Sequence, residues 1–188
     1  MFQPRVKLEF VRRYCSPENG WRVCVDIDPS EEGRTGGTRE NGESVRRQEK
    51  MREDGLWVRK KFEELGVRVG DRKRWCKANG FRYLQGDPDI VAYDAAGKRC
   101  LIAEVEGASS GQPEQKLYKA IGQMVRTVSN LSETLPEDWN RCCVIVVYGK
   151  QIAGHLERVR VLKKLDISGL ALADDKSGDR WCFGDPCE

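Results

Sequence analysis

The sequence holds one histidine, His155, in 188 residues. A single imidazole cannot complete a usual zinc set, and none of the eight cysteines forms a CxxC pair. Cys182 and Cys187 are spaced too loosely for a metal knuckle. No apolar run approaches the ~18 residues that would span a bilayer. The opening residues, MFQPRVKLEFVRRY, carry charges where a signal peptide needs an apolar run. These absences point away from zinc modules and membrane proteins. The expectation is an intracellular protein, in cytoplasm or nucleus, with no membrane partner. No internal repeat and no second domain are visible, so 1–188 reads as a single domain.

What is present is a charged but foldable chain. Hydrophobic residues make up 39% and charged residues 34%, enough of the first to build a core. The net charge is only +3, but it is uneven. From Arg46 to Lys77 there are twelve Lys/Arg against six Asp/Glu, a local +6, which leaves about −3 for the remainder. A basic segment beside an acidic remainder suits a polyanion held over a metal site. Cys100, Cys142 and Cys143 lie in apolar runs and read as buried reduced thiols. Cys15 with Cys24, and Cys182 with Cys187, are pairs that an oxidising compartment could join.

Taken in order, Val6 to Tyr14 and Trp21 to Ile27 both alternate, and S-P-E-N-G lies between them. That pattern predicts an N-terminal β-hairpin over 6–27. Residues 28–42 hold Gly, Glu, Arg and Thr without an apolar anchor and read as a flexible loop. Glu43 to Leu65 repeats apolar positions at helical spacing and stops at Gly66. Arg72 to Asn79 reads as a short helix or turn, and Phe81 to Leu84 as a short strand. Ile90 to Tyr93 and Cys100 to Val105 are strands flanking a turn at Ala96-Gly97. Ala108 to Gln112 is a loop of small residues. Pro113 opens a helix that runs to Leu131, with Leu117, Ile121, Met124 and Val128 on its apolar stripe. Cys142 to Tyr148 is a continuous apolar run, as in a strand buried on both faces. His155 to Leu165 reads as a helix and Ile167 to Ala173 as a strand. Residues 174–188 form a tail in which Arg180 to Phe183 pairs back as an edge strand.

Three acids stand out. Asp89 begins the first central strand, and Glu104 and Glu106 end the second. Carboxylates meeting across neighbouring strands can hold a hard divalent cation against a phosphate. With Pro88-Asp89 and Glu104-Val105-Glu106 in a helix–strand–helix frame, residues 43–173 resemble the PD-(D/E)XK nuclease superfamily. The resemblance implies an α/β fold with a restriction-endonuclease-like core, a central mixed β-sheet flanked by helices. It implies Mg²⁺ or Mn²⁺ held by Asp89, Glu104 and the Val105 carbonyl, and hydrolysis of phosphodiester bonds in DNA. The alternative is a catalytically inactive protein of the same fold that binds nucleic acid or protein.

The motif lysine is missing: Glu106 stands in its place. Three readings stay open. Lys116 on the following helix takes over, Glu106 binds a second metal, or catalysis has been lost. The resemblance also implies an acid from the first core helix, Glu49 or else Glu53, and a glutamine, Gln123, with Gln115 behind it. Arg46, Arg47, Lys50, Arg72, Lys73 and Arg74 are the candidates for phosphate contact, which gives affinity rather than sequence choice. Cleavage of both strands would suit a symmetric homodimer.

Overall fold

The strand that ends at Glu106 sits at the centre of the sheet, and the rest of the fold is laid out around it. The computed structural model describes residues 1–28, 42–81, 88–107, 112–131 and 137–184, and of residues 42–48 and 131 the backbone alone. Among these residues a single seven-stranded sheet has the order β2-β1-β3-β4-β5-β6-β7. The strands are β1 (Arg22–Val25), β2 (Arg68–Val69), β3 (Ile90–Asp94), β4 (Arg99–Glu106), β5 (Asn140–Tyr148), β6 (Ile167–Leu172) and β7 (Arg180–Phe183). β4, β5 and β6 run parallel to one another. β3 is antiparallel to β4 and to β1, and β7 returns antiparallel on β6 at the far edge. The chain is therefore α/β, with a mixed sheet flanked by helices.

The first helix corrects the sequence reading. Residues Gln3–Tyr14 form helix α1, not a β-strand, so the predicted N-terminal hairpin does not exist. V-K-L-E-F satisfies a period of two, but Val6 with Phe10 and Lys7 with Val11 also satisfy the i, i+4 spacing of a helix. Pro4 in the first turn and Arg12 and Arg13 in the last favour the helix at both ends. S-P-E-N-G then makes a 3₁₀ turn over Pro17–Asn19, closed by Gly20 at φ 87°. Only Arg22–Val25 of the expected second strand joins the sheet.

Helix α2 (Gly42–Glu64) agrees closely with the helix expected from apolar spacing, and α3 (Arg72–Ala78) with the short one after it. The expected strand over 81–84 is not seen at Phe81, which lies outside any strand, and 82–84 are outside the described residues. So are 29–41, which cover most of the predicted loop, and 108–111. Helix α4 (Pro113–Leu131) follows β4 as its proline predicted. The single late helix expected over 155–165 is instead two short ones, α5 (Lys150–Leu156) and α6 (Val161–Lys164). The first begins five residues before the expected start, because the polar pair Lys150-Gln151 opens a helix whose Ile152, Ala153 and Leu156 are buried.

Two hydrophobic clusters lie on opposite faces of the sheet. α1 and α2 cover one face, where Val6, Phe10, Val58 and Phe62 meet Ile90, Ala92, Leu101, Ala103 and Val105. α4, α5 and α6 cover the other, where Leu117, Met124, Leu156 and Leu162 meet Val91, Tyr93, Ile102 and Ile145. β5 feeds both: Cys142, Val144 and Val146 point one way, Cys143, Ile145 and Val147 the other. That explains its unbroken apolar run. Each such fully buried side chain contributes on the order of 1.5–3 kcal/mol through removal of its surface from water. The seven cysteines among the described residues are free thiols, six of them buried, and Cys187 lies outside the description. Among the described residues no helix is long and apolar enough to cross a membrane.

The β3–β4 hairpin is held by its own turn. Asp94 accepts from the Gly97 N–H at 3.1 Å and from Arg99 Nε and Nη2 at 3.0 and 2.8 Å. The Gly97 amide first, and then Arg99, hold its carboxyl below the usual carboxylate range. This clamp sits at the opposite end of β3 from Asp89 and sets the register that pairs Ile90 with Ala103.

Candidate active site

The register of β3 on β4 decides what lies at the other end. With Ile90 opposite Ala103, Asp89 falls beside Glu104, just where β3 begins. Asp89 is not an idle turn residue. Its Oδ2 accepts from the Val105 N–H at 2.7 Å, and its backbone carbonyl accepts from the Asp26 N–H at 2.7 Å. The carboxylate is therefore fixed by main-chain groups of β4, while its own main chain is fixed by the end of β1.

The second oxygen of Asp89 meets a residue that sequence reasoning did not single out. Lys7 Nζ, on α1, lies 2.7 Å from Asp89 Oδ1 and donates to the Asp26 carbonyl at 2.8 Å. Lys7 is 1% exposed. A lysine ammonium is taken out of water only where partners replace its hydration, and here a carboxylate and a carbonyl do so. Its four-carbon stem runs among the apolar residues of α1, and its charged end emerges at the strand ends. The signal was in the sequence: at helical spacing Lys7 shares a face with Phe10 and Val11, so it lies within the buried stripe. Reading 6–14 as a strand turned it outward instead.

Glu104 is 2% exposed, and its Oε1 is buried without a hydrogen-bond partner among the described residues. Strand alternation puts Glu104 and Glu106 on the α4 side of the sheet and Leu101, Ala103 and Val105 on the α1 side. Burial first, and then the charge of Asp89, push the Glu104 carboxyl up to about 9, with Lys7 pulling the other way, Glu106 adding to the rise and Arg72 opposing it. Asp89, Glu106, Lys7 and Arg72 thus all act on Glu104, which sits at the middle of one charged cluster. Glu106 itself is 8% exposed.

The remaining candidates are spread around this cluster. Lys116 is half-buried on the first turn of α4, on the side of the sheet shared by Glu104 and Glu106, and Gln123 is half-buried two turns further along. Gln115 is exposed. Glu49 and Glu53 are exposed on α2, which packs on the other face. Of the basic candidates, Arg72 reaches the site's edge, where its Nη1 donates to the Pro88 carbonyl at 3.0 Å. Lys73 and Arg74 are exposed on α3, and Lys50 is exposed on α2. The side chains of Arg46 and Arg47 lie outside the description.

Whether the site suits a divalent cation is a matter of its donor atoms. Among the described residues no three His, Cys, Asp or Glu side chains come together in a metal-binding group. Two carboxylates do come together, Asp89 and Glu104, and the second has an oxygen that nothing satisfies among the described residues. A hard cation that keeps several of its waters needs only one or two protein carboxylates, so this pair fits Mg²⁺ or Mn²⁺ and does not fit a cage-bound ion.

The close approach of α1 to the site has a visible cost in side-chain space. Gly107 follows β4 directly, and a Cβ there would lie 2.5 Å from the Gln3 nitrogen and 2.8 Å from its Cα. Glycine is what lets the end of β4 pass under the first turn of α1, about one turn from Lys7. Comparison of the chain with protein-family models, with curated proteins and with solved structures finds no match.

Proposed function

We propose that the chain is a Mg²⁺- or Mn²⁺-dependent nuclease that hydrolyses phosphodiester bonds in DNA, with a core of the restriction-endonuclease-like kind. The observation that carries this reading is the meeting of Asp89, Glu104 and Lys7 at one end of the central hairpin. Asp89 and Glu104, with the Val105 carbonyl, are the groups that would hold the metal. Bound there, it would supply charge on a phosphate oxygen and a water more acidic than bulk water. The chain's own part is positional and electrostatic. The Val105 N–H holds Asp89 in one rotamer, and the packed strand holds Glu104. Lys7 supplies a fixed positive charge beside the two acids, the charge that the sequence motif lacks at Glu106. A buried ammonium at that point can hold an attacking water by hydrogen bond and offset charge gathering on the phosphate. Lys116 and Glu106, on the α4 side, remain a second source of such contacts.

Incubation of supercoiled and linear DNA with Mg²⁺ or Mn²⁺ tests the reading directly. Wild type nicks or cuts both, and neither Asp89→Ala nor Glu104→Ala does. Cutting that survives in both variants removes these acids from the chemistry and with them the proposal.

One observation favours a second reading, a fold of this kind that binds nucleic acid without cutting it. The Lys7 ammonium already sits on Asp89 Oδ1, where it neutralises the charge a cation would meet. Calorimetric titration with Mn²⁺ separates the two. Heat of binding that disappears in Glu104→Ala supports the enzyme, and its absence from wild type, with DNA binding intact, supports the binding protein.

A further inference from the structure

The end of the sheet that carries Asp89 opens sideways into a cleft of about 230 Å³. Its walls are the end of β1 through Asp26, Gly70, the start of α3 with Arg72 and Lys73, and Pro88. Two of these wall residues belong to the site as well. Pro88 precedes Asp89 and takes the Arg72 hydrogen bond, and Asp26 accepts from Lys7 through its carbonyl and donates to Asp89 through its amide. Cleft and site therefore share a wall.

The cleft is lined by Arg72 and Lys73 against Asp26 and Asp71, and the basic excess lies in the chain that flanks it. Residues 67–81 carry Arg68, Arg72, Lys73, Arg74 and Lys77 against Asp71 alone, five charges less one, or +4. Asp71 is turned to its own helix, where its Oδ1 accepts from the Arg74 N–H at 3.4 Å. Asp26, the other acid of the wall, is exposed, so its carboxylate stands in water at the rim. The space is that of a sugar and a phosphate, far too small for a duplex to enter.

We propose that this cleft seats one sugar–phosphate unit of the DNA strand, the unit next to the bond that is cut, with Lys73 and Arg72 facing its phosphate. The proposal rests on the nuclease reading and adds the path of the substrate strand. DNA lies across the β1–β3 end of the sheet, with one backbone unit drawn into the cleft while the neighbouring phosphate lies over Asp89 and Glu104. It makes Lys73 a substrate-positioning residue with no part in the bond cleavage.

Binding without metal tests the cleft apart from catalysis. Fluorescein-labelled single-stranded oligonucleotides are titrated in EDTA, by anisotropy, over a range of salt. Each one carries a single uncharged methylphosphonate, walked along its length. In wild type one or two positions weaken binding more than their neighbours. Lys73→Ala weakens binding several-fold, lowers the slope of log affinity against log salt by about 0.7, the share of one single-strand phosphate, and flattens the scan. Lys164→Ala, an equal charge loss on α6, leaves the scan as in wild type. A wild-type scan that is flat, or one that Lys73→Ala leaves unchanged, overturns the cleft and leaves the nuclease reading standing. The scan as described in a protein that never cuts DNA upholds the cleft and overturns the nuclease. Wild type that binds no oligonucleotide overturns the cleft, and the plasmid assay then judges the nuclease reading by itself. If inorganic phosphate displaces the oligonucleotide from wild type and from Lys73→Ala equally, the anion is held elsewhere and the cleft assignment fails.

Discussion

Lys7 and Asp89, one on the first helix and the other at the start of the third strand, are joined at 2.7 Å with the lysine fully buried. The pair links an element outside the expected core to the residue on which the candidate chemistry depends. Replacing Lys7 by Met keeps the stem and removes the charge. If Lys7 acts on the attacking water or the phosphate, cleavage falls by about 10²-fold or more, the range for loss of a positioned proton-handling group. Lys116→Ala on α4 is the comparison. A larger loss in Lys116→Ala than in Lys7→Met would return the role to the helix after the motif. Thermal unfolding of both variants shows whether the loss is one of fold.

Glu104 separates function from stability. Its buried Oε1 has no partner among the described residues, so the carboxyl is held there at a cost to the fold. Glu104→Gln keeps the shape and cannot carry a negative charge. In metal-free buffer near pH 8 its melting temperature should equal or exceed that of wild type, while its cleavage activity is abolished. A melting temperature several degrees lower would show that Glu104 holds the fold together through contacts that an amide cannot make.

Asp179 is the stability counterpart. It accepts from Arg13 Nη1 at 2.9 Å, from Tyr14 Oη at 2.8 Å and from the Ala173 N–H at 2.8 Å, and so fastens the end of α1 to the start of the β7 return. Arg13 and Asp179 side chains are 9% and 3% exposed. Without Asp179, Arg13 keeps Glu9 Oε2 at 3.2 Å and the Ala173 and Asp174 carbonyls, so the cost is that of losing charged hydrogen bonds, about 1.5–3 kcal/mol. Asp179→Ala should lose that much in denaturant unfolding, whereas Lys98→Ala, which breaks an exposed pair with Asp138, should lose less than about 1 kcal/mol.

The thiols make a prediction about pH. Burial pushes Cys24 and Cys143 up to about 12, and Cys76 and Cys100 move in the same direction for the same reason. A thiol raised in the folded state adds stability that is complete below its unfolded value of ~8.5 and fades as pH climbs toward 12, because only the unfolded chain ionises in that window. The melting temperature should decline from pH 8.5 upward. At pH 8, iodoacetamide should leave these four cysteines unmodified in the folded protein and label them in urea, as read by mass spectrometry. Fast labelling of Cys143 in the folded state would contradict its placement inside β5.

Gly107→Ala tests the seat of α1. The added methyl group would press on the main chain at Gln3, which has no rotamer by which to yield. Overpacking of this kind costs about 1–3 kcal/mol. The helix must shift, and Lys7 with it, so activity should drop further than the loss of stability alone accounts for. A variant with wild-type activity would mean that the Lys7 contact tolerates movement of its helix.

What the sequence made readable was the part whose signals are local. Asp89 and Glu104 were legible because each sits at one end of an apolar run, and the two runs are joined at their other ends by a turn with its own chemistry in Asp94 and Gly97. Pro113 marked α4, and the unbroken run from Cys142 to Tyr148 marked a strand with two buried faces. The N-terminus was misread because Val6, Leu8 and Phe10 satisfy both periods, and only the sheet face they cover chooses between them. Lys7 was lost with that choice. A single lysine inside an apolar stripe has meaning only when the stripe is assigned the right period and a partner is known to lie above it. Asp26 acts through its main chain, and no side-chain pattern announces a carbonyl.

The contact between α1 and the strand ends also orders events in time. Synthesis delivers Lys7 ahead of both acids, and β4 stays an open edge until β5 has been made and laid against it as far as Val147. A nascent chain therefore carries the lysine long before there is anything for it to serve, and a fragment broken off within α4 has all three residues without the neighbouring strand that keeps two of them in place. Were the activity one that damages DNA, this arrangement would leave unfinished copies harmless.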